Sequence, residues 1–156
     1  MPNKRSATIG HVHAPETSAA ITDANSKATD IFISGATGTN ARFINGHYKP
    51  TQQTGPDGHV IYHKHDGGDS IDEPVRIEHV SHTEGVWQLK HLSDVGTDVC
   101  YAGVQGGCAL EACTSRVWRV AESREWHEQS SLKMLTGGEA KRAVSNLNLQ
   151  LNMNPR

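Results

Sequence analysis

The sequence predicts an all-β domain, built as a mainly antiparallel small sheet or partly open barrel, with a short C-terminal helix and extended terminal arms. Short apolar, β-branched and aromatic runs recur from residue 30 onward, and turn sequences rich in Gly, Asp and Pro separate them. A chain of 156 residues is long enough for one such domain. We therefore expect a polar N-terminal arm (1–29), an antiparallel β domain (30–135), and a short helix followed by an extended C-terminal arm (136–156).

The N-terminal arm is expected because residues 1–29 combine Ser, Thr, Ala, Asn and charged residues without a periodic apolar face. This segment also lacks the apolar run of a signal peptide, and no stretch of the chain approaches the roughly 20 apolar residues that a membrane-spanning helix needs. The 15 Lys and Arg residues against 17 Asp and Glu give a net charge of -2, which does not favour binding to nucleic acid. We expect a cytoplasmic protein.

Strand-like runs follow the arm in quick succession. The first is Ile31–Ile33, and the later ones lie at 59–65, 74–80, 86–92, 98–104, 116–120 and 125–129. Many short runs between turn sequences are typical of an antiparallel sheet. Because side chains alternate between the faces of a strand, Trp87 and Leu89 would share one face, and we expect Trp87 and Trp118 to anchor the core.

The C-terminal region changes its pattern twice. Thr136 and Glu139 have the spacing of a helix capping box, and residues 140–144 favour about two helical turns. Residues 146–154 then alternate polar and apolar, which predicts a strand with one apolar face. A strand at a chain end needs a partner strand, so we expect this segment to contact another protein subunit. Its predicted partner-binding residues are Leu147, Leu149, Leu151 and Met153.

Histidine is unusually frequent, with 10 residues in the chain. His59, His63 and His65 would project from one face of a strand, where three imidazoles could hold Zn²⁺ or another divalent metal. The alternative interpretation is an ordinary strand with a polar, solvated face. The sequence leaves both interpretations open.

Three cysteines, Cys100, Cys108 and Cys113, form an odd set without a C-x-x-C pair. An odd count argues against a closed disulfide framework and favours small buried residues in a reducing compartment. The redox state of these cysteines, including a single pairing among them, is left open. No constellation of residues points to catalysis, so we expect no enzyme.

Several short motifs occur in a set order across the β domain: SGATG, then INGHYKPT, HVIYHK, VWQLKHL and RVWRV. In this combination the chain resembles a small β module that is repeated in algal, oomycete and other protist proteins. The resemblance covers about residues 31–135. The run PVRIEHV departs from it, because the module usually carries Trp and Tyr there. The matching positions are Gly35, Gly38, Asn45, Gly46, Tyr48, Pro50, Gly58, Tyr62, Lys64, Trp87, Ala102 and Trp118.

The resemblance implies a module for binding or scaffolding, with no catalytic residues to assign. It gives Asn45 and Gly46 a structural role, since glycine after asparagine suits a turn with positive φ, and it places Tyr48 and Tyr62 in the core.

We therefore expect a non-catalytic structural or adaptor protein, an accessory subunit that binds other protein subunits of a larger assembly. Self-association is left open. One alternative is a metal-binding protein that uses the histidine cluster. The other is a carbohydrate- or small-ligand-binding β module in which Tyr48, Tyr62 and Trp126 supply exposed aromatic faces.

Overall fold

A computed structural model describes residues 18–65, 74–81, 85–107 and 109–153. The strands in these ranges are β1 (Ile31–Ser34), β2 (Gly46–Thr54), β3 (Val60–Lys64), β4 (Val75–Val80), β5 (Val86–His91), β6 (Ala102–Gln105), β7 (Trp118–Glu122), β8 (Glu125–Gln129) and β9 (Lys133–Thr136). The α-helices are α1 (Ser18–Ser26), α2 (Ala41–Ile44) and α3 (Gly137–Met153), and 3-10 turns occupy Leu92–Asp94 and Leu110–Cys113.

All paired strands are antiparallel and form one curled sheet in the order β8-β7-β6-β5-β4-β3-β2-β1-β9. The chain runs back and forth from β1 to β8, and β9 then returns to pair with β1. This arrangement confirms the predicted fold class, a mainly antiparallel sheet that forms a partly open barrel. Within the described ranges, no helix is both long and apolar enough to cross a membrane.

The inner face of the curl carries the core, because alternate residues of each strand point to the same side. Tyr48, Tyr62, Trp87 and Trp118 are all buried, which confirms their predicted placement. The hydroxyl of Tyr48 donates to the Ile44 carbonyl at 2.8 Å, so this ring is buried with its polar end satisfied. The remaining strand residues of the core are Ile31, Ile33, Val75, Ile77, Leu89, Ala102, Val104, Val120 and Met134.

The loop after β1 crosses to the opposite end of the sheet and closes the curl. Gly35 has a φ of +82°, and a Cβ atom there would overlap the carbonyl oxygen of Ser131. The Ser131 hydroxyl donates to the Gly35 carbonyl at 2.9 Å, and the Asn40 side chain donates to the Ala121 carbonyl at 2.6 Å. The SGATG motif therefore has a structural role here, in which glycine permits close contact between two backbones.

Asn45 and Gly46 connect α2 to β2 and are both half-buried. The Asn45 side chain accepts from the Ala36 amide and donates to the Ala36 carbonyl, both at 3.0 Å. Gly46 follows with a φ of +150° and begins β2. The pair thus fixes the connection between β1 and β2.

The expected N-terminal arm is wrong in part. Residues 1–17 lie outside the described ranges, whereas residues 18–26 form α1. This helix docks on the connection between β2 and β3, because the Asn25 side chain donates to the Gly58 carbonyl at 3.0 Å and accepts from the Val60 amide at 3.1 Å. Those two hydrogen bonds hold the segment, which the polar composition alone did not indicate.

The extended C-terminal arm and its predicted strand are wrong as well, since α3 continues to Met153. A helix that has already begun gains one hydrogen bond for each residue added, and Leu and Gln are good helix formers. No proline or glycine interrupts residues 139–153. The two-residue alternation therefore does not decide the local structure, and the helix predicted to start after Thr136 runs on through it.

Two of the three cysteines lie in the described ranges, and neither forms a disulfide. Cys113 is buried and Cys100 is half-buried. Burial raises the pKa of Cys100 to about 11, so its thiol stays protonated near neutral pH. The third cysteine, Cys108, lies outside the described ranges.

Candidate metal centre

A buried polar cluster forms where the connection between β2 and β3 meets the end of β4. Its members are Asp57, His59 and His79, and one potential ligand atom from each lies within 4.8 Å of the others. Two imidazoles and one carboxylate are a common ligand set for zinc and other first-row transition metals.

The turn between β2 and β3 positions two of these residues. The Gly58 amide donates to the Gly55 carbonyl at 2.9 Å, and the Gly55 amide donates to the His59 carbonyl at 2.8 Å. Gly58 has a φ of +90°, a conformation that glycine adopts at little cost. The tight turn brings Asp57 and His59 together, and the His59 amide donates to Asp57 Oδ1 at 3.2 Å.

His79 comes from a different part of the sheet. It lies on β4 opposite Trp87 of β5, on the side of the sheet that faces the core. The Trp87 ring packs edge-on against both imidazoles, with centroid distances of 5.0 Å to His79 and 5.5 Å to His59. The two imidazole centroids are 4.1 Å apart. A large apolar ring therefore forms one wall of the cluster and shields it from solvent.

Asp57 lies between the two histidines. Its Oδ2 atom is 2.5 Å from His79 Nδ1 and 3.2 Å from His59 Nδ1. Burial favours the neutral acid, but the hydrogen bonds from His59 and His79 outweigh it and hold the pKa of Asp57 well below its ordinary value. The Asp57 side chain is therefore a carboxylate throughout the neutral pH range.

The second ring nitrogen of His79, Nε2, forms a hydrogen bond with the backbone. Nε2 lies 2.9 Å from the carbonyl oxygen of Gly106, which can only accept a hydrogen bond. Nε2 therefore carries the hydrogen, and Nδ1 is the atom directed at Asp57. A metal-bound histidine is typically oriented in this way, with one nitrogen on the ion and the other donating to a carbonyl.

The cluster adjoins a cleft of about 390 Å³ on the protein surface. Asp57 and His79 line this cleft together with Glu78 and Lys90. The side chains of His59 and His79 are each 2% exposed, whereas Asp57 is 14% exposed. An ion would thus reach the two histidines past the carboxylate.

The three histidines predicted to bind metal are not brought together. His59 precedes β3 and contacts His79 and Trp87 in the core. His63 lies within β3 opposite Arg76, and His65 follows the strand with its ring 5.8 Å from that of His47. The predicted set is therefore corrected to one that shares only His59. Its assumed alternation fails because β3 begins at Val60, so His59 does not follow the strand pattern.

Sequence reasoning missed Asp57 and His79. Asp57 lies in Gly55-Pro56-Asp57-Gly58, which indicates a turn and no more, and His79 lies 22 residues away in a run without a ligand motif. A weak signal was available, because Asp57 and His59 have the i, i+2 spacing at which one turn can supply two ligands.

The other predicted binding residues lie elsewhere. Tyr48 and Tyr62 are buried, so the expectation that they offer exposed aromatic faces is wrong, whereas Trp126 is 50% exposed. The α3 side chains predicted to bind a partner are exposed. They are Leu147 at 44%, Leu149 at 60%, Leu151 at 63% and Met153 at 78%.

Comparison of the chain with protein-family models, curated proteins and solved structures finds no match.

Proposed function

We propose that this protein binds a divalent transition metal, with Zn²⁺ the best fit, through Asp57, His59 and His79. The observation that supports the proposal is the convergence of three ligand atoms within 4.8 Å, one of them on a histidine whose other nitrogen is engaged by a backbone carbonyl. Imidazole nitrogen and carboxylate oxygen are both ordinary zinc ligands.

The distances in the cluster suit a small ion after one modest adjustment. Ligand atoms around a tetrahedral zinc ion lie about 3.3 Å apart, given bonds of about 2.0 Å. The 3.2 Å between His59 Nδ1 and Asp57 Oδ2 matches this spacing. The 2.5 Å between His79 Nδ1 and Asp57 Oδ2 is a hydrogen-bond distance and must lengthen.

Three protein ligands leave a fourth position for water or a small ligand, on the side where the cleft opens. We assign metal binding to the centre and keep the expectation of a non-catalytic protein. We also place the protein in the cytoplasm, because the thiols of Cys100 and Cys113 suit a reducing compartment.

Elemental analysis tests this function. Protein prepared without a histidine tag, incubated with Zn²⁺ and then desalted is expected to retain about one zinc per chain. His79→Gln and Asp57→Asn should each abolish retention. His127→Gln is the matched control, because His127 is 51% exposed on β8 and lies outside the cluster. Circular dichroism checks that each variant is folded. Equal zinc retention by all four proteins would overturn the proposal.

We propose a second function, as an accessory subunit that binds another protein through α3. Ala140, Val144, Leu147 and Leu151 lie along one side of the helix at intervals of three or four residues. Ala140 is buried against the sheet, Val144 is half-buried, and Leu147 and Leu151 become progressively more exposed. The apolar stripe therefore continues beyond the sheet that covers its first turn. Leu149 and Met153 add apolar surface on the other side of the helix.

A photo-crosslinking amino acid at Leu151 tests this second function in the native host extract. A discrete crosslinked product should form at this position and be absent when the same probe replaces Lys141, on the exposed side of α3. A product of twice the chain's mass would identify the partner as a second copy. The same products from both positions, or none from Leu151, would contradict a role for the stripe.

A further inference from the structure

A groove of about 440 Å³ runs across the outer face of β5, β6, β7 and β8. We propose that it binds an acidic carbohydrate, specifically an oligosaccharide that carries carboxylate groups. The groove shares no lining residue with the metal centre, so this proposal is independent of metal binding. The residues that support it are Gln88, Gly103, Arg116, Arg119 and Trp126.

The strand register creates the groove. Gln88 of β5 lies opposite Gly103 of β6, Gly103 lies opposite Arg119 of β7, and Arg119 lies opposite Glu128 of β8. Cross-strand neighbours point to the same face of a sheet. Because Gly103 has no side chain, the row has a gap between the Gln88 carboxamide and the Arg119 guanidinium. That gap is the floor of the groove.

The side-chain oxygen of Gln88 is a hydrogen-bond acceptor without a donor. Gln88 is 8% exposed, and its buried Oε1 atom has no hydrogen-bond partner among the described residues. A buried acceptor is normally satisfied, so an unsatisfied one that lines a groove marks a position for a ligand donor. A sugar hydroxyl is a donor of the right size.

The two arginines define the charge of the ligand. Arg116 and Arg119 are exposed on the same groove, and each guanidinium can hold a carboxylate through two parallel hydrogen bonds. Among the described residues, Arg119 has one loose ion pair, with Glu128 at 3.8 Å, and both side chains are more than 60% exposed. Such an exposed pair is weak, and a ligand carboxylate can replace it.

Trp126 provides a flat apolar surface beside these polar groups. The residue is 50% exposed, whereas the other two tryptophans, Trp87 and Trp118, are each 1% exposed in the core. An indole ring offers an aromatic face against which the C–H face of a sugar ring can pack. Hydroxyls for Gln88, carboxylates for the arginines and C–H faces for Trp126 occur together in a uronic acid oligosaccharide.

Isothermal titration with defined oligosaccharides tests the proposal. A tetrasaccharide of galacturonic acid should bind, and an uncharged tetrasaccharide of glucose should bind at least tenfold more weakly. Arg119→Ala and Trp126→Ala should each weaken binding of the acidic sugar by at least tenfold. Arg142→Ala is the matched control, because it removes an exposed positive charge from α3 and should leave binding unchanged.

Gln88→Met separates ligand binding from folding, because it fills the same space and removes the unsatisfied oxygen. This variant should fold normally and bind the acidic tetrasaccharide several-fold more weakly. Equal binding of the acidic and neutral sugars, equal losses in Arg119→Ala and Arg142→Ala, or no binding by the wild-type protein would each overturn the proposal.

Discussion

His79 Nδ1 lies 2.5 Å from Asp57 Oδ2, although the two residues are 22 positions apart in the chain. The Gly106 carbonyl accepts from Nε2 of the same ring, which leaves Nδ1 facing the carboxylate. Without an ion, this contact is a buried, charge-assisted hydrogen bond. A metal ion at the same position takes the place of that hydrogen bond.

Proton release is the first expected consequence. Zinc binding should release protons, since an imidazole coordinates only through a nitrogen that carries no hydrogen. Calorimetry in buffers of different ionisation enthalpy measures their number directly. Zinc affinity should also fall as the pH is lowered. Zinc affinity that is unchanged between pH 8 and pH 5 would contradict coordination by the two histidines.

The pH dependence of stability should report on Asp57. Its pKa is lower in the folded than in the unfolded chain, so its contribution is fully present above the unfolded value of about 4 and is lost as the pH falls through the folded value. At pH 7, Asp57→Asn should lower the free energy of unfolding by about 1.5–3 kcal/mol, the range for hydrogen bonds to charged groups. The difference from wild type should shrink below pH 4.

Urea denaturation at a series of pH values measures this effect, and Asp23→Asn is the control for loss of one negative charge. Asp23 of α1 forms an exposed pair with Lys27, which follows the helix, so its substitution should change stability by less than about 0.5 kcal/mol. A difference in the free energy of unfolding between wild type and Asp57→Asn that stays constant from pH 7 to pH 3 would contradict the role of ionised Asp57.

Burial of His63 should also lower the stability of the folded chain in weakly acidic solution. Burial, with a further contribution from Arg76, lowers the pKa of His63 below its ordinary value of 6.5. The unfolded chain therefore takes up a proton before the folded chain does, and stability falls as the pH drops below 6.5. His63→Gln should remove this part of the loss. The free energy of unfolding of the variant should therefore rise relative to that of wild type between pH 7.5 and pH 5.

Parallel urea titrations of His63→Gln and His127→Gln check the result, because His127 is exposed on β8. The two variants should differ in their pH dependence. Of the two, only His63→Gln should become more stable relative to wild type as the solution is acidified. A parallel response of both variants would show that burial of His63 does not shape the stability curve.

Two glycines, one at a tight backbone contact and one in the C-terminal helix, make a matched pair. Gly35→Ala places a methyl group against the Ser131 carbonyl at a positive φ, and it should cost about 2–4 kcal/mol. A Cβ atom at Gly138, in the first turn of α3, would meet no atom within 4 Å beyond its own stretch of helix, so Gly138→Ala should stabilise the protein by up to about 0.5–1 kcal/mol. Chemical denaturation measures both. Equal effects would contradict the tight backbone contact between Gly35 and Ser131.

Local patterns predicted the sheet well. The runs around Trp87 and Trp118, bounded by turn sequences, are strands β5 and β7 with both rings buried. The prediction of a strand at 146–154 was wrong, because a short period-two pattern carries no information about a helix that begins upstream. Whether such a segment continues a helix or forms a strand depends on its neighbours, and α3 starts before the alternation does.

Most of the candidate metal centre could not be predicted from local sequence patterns. Spacing along one strand grouped His59 with His63 and His65, whereas the sheet register and a turn group His59 with Asp57 and His79. The antiparallel pairing of β3 with β4 makes this possible, because it places His79 near the start of β3. Only the pairing of distant strands brings these residues together.

Anomalous X-ray diffraction at the zinc absorption edge, from crystals grown with Zn²⁺, tests the metal centre most directly. We expect a single strong peak bonded to Asp57 Oδ2, to Nδ1 of His79 and to a ring nitrogen of His59, at about 2.0–2.2 Å from each. The peak should disappear in Asp57→Asn. A cluster without a peak, with zinc bound instead at exposed histidines such as His127, would contradict the proposed centre.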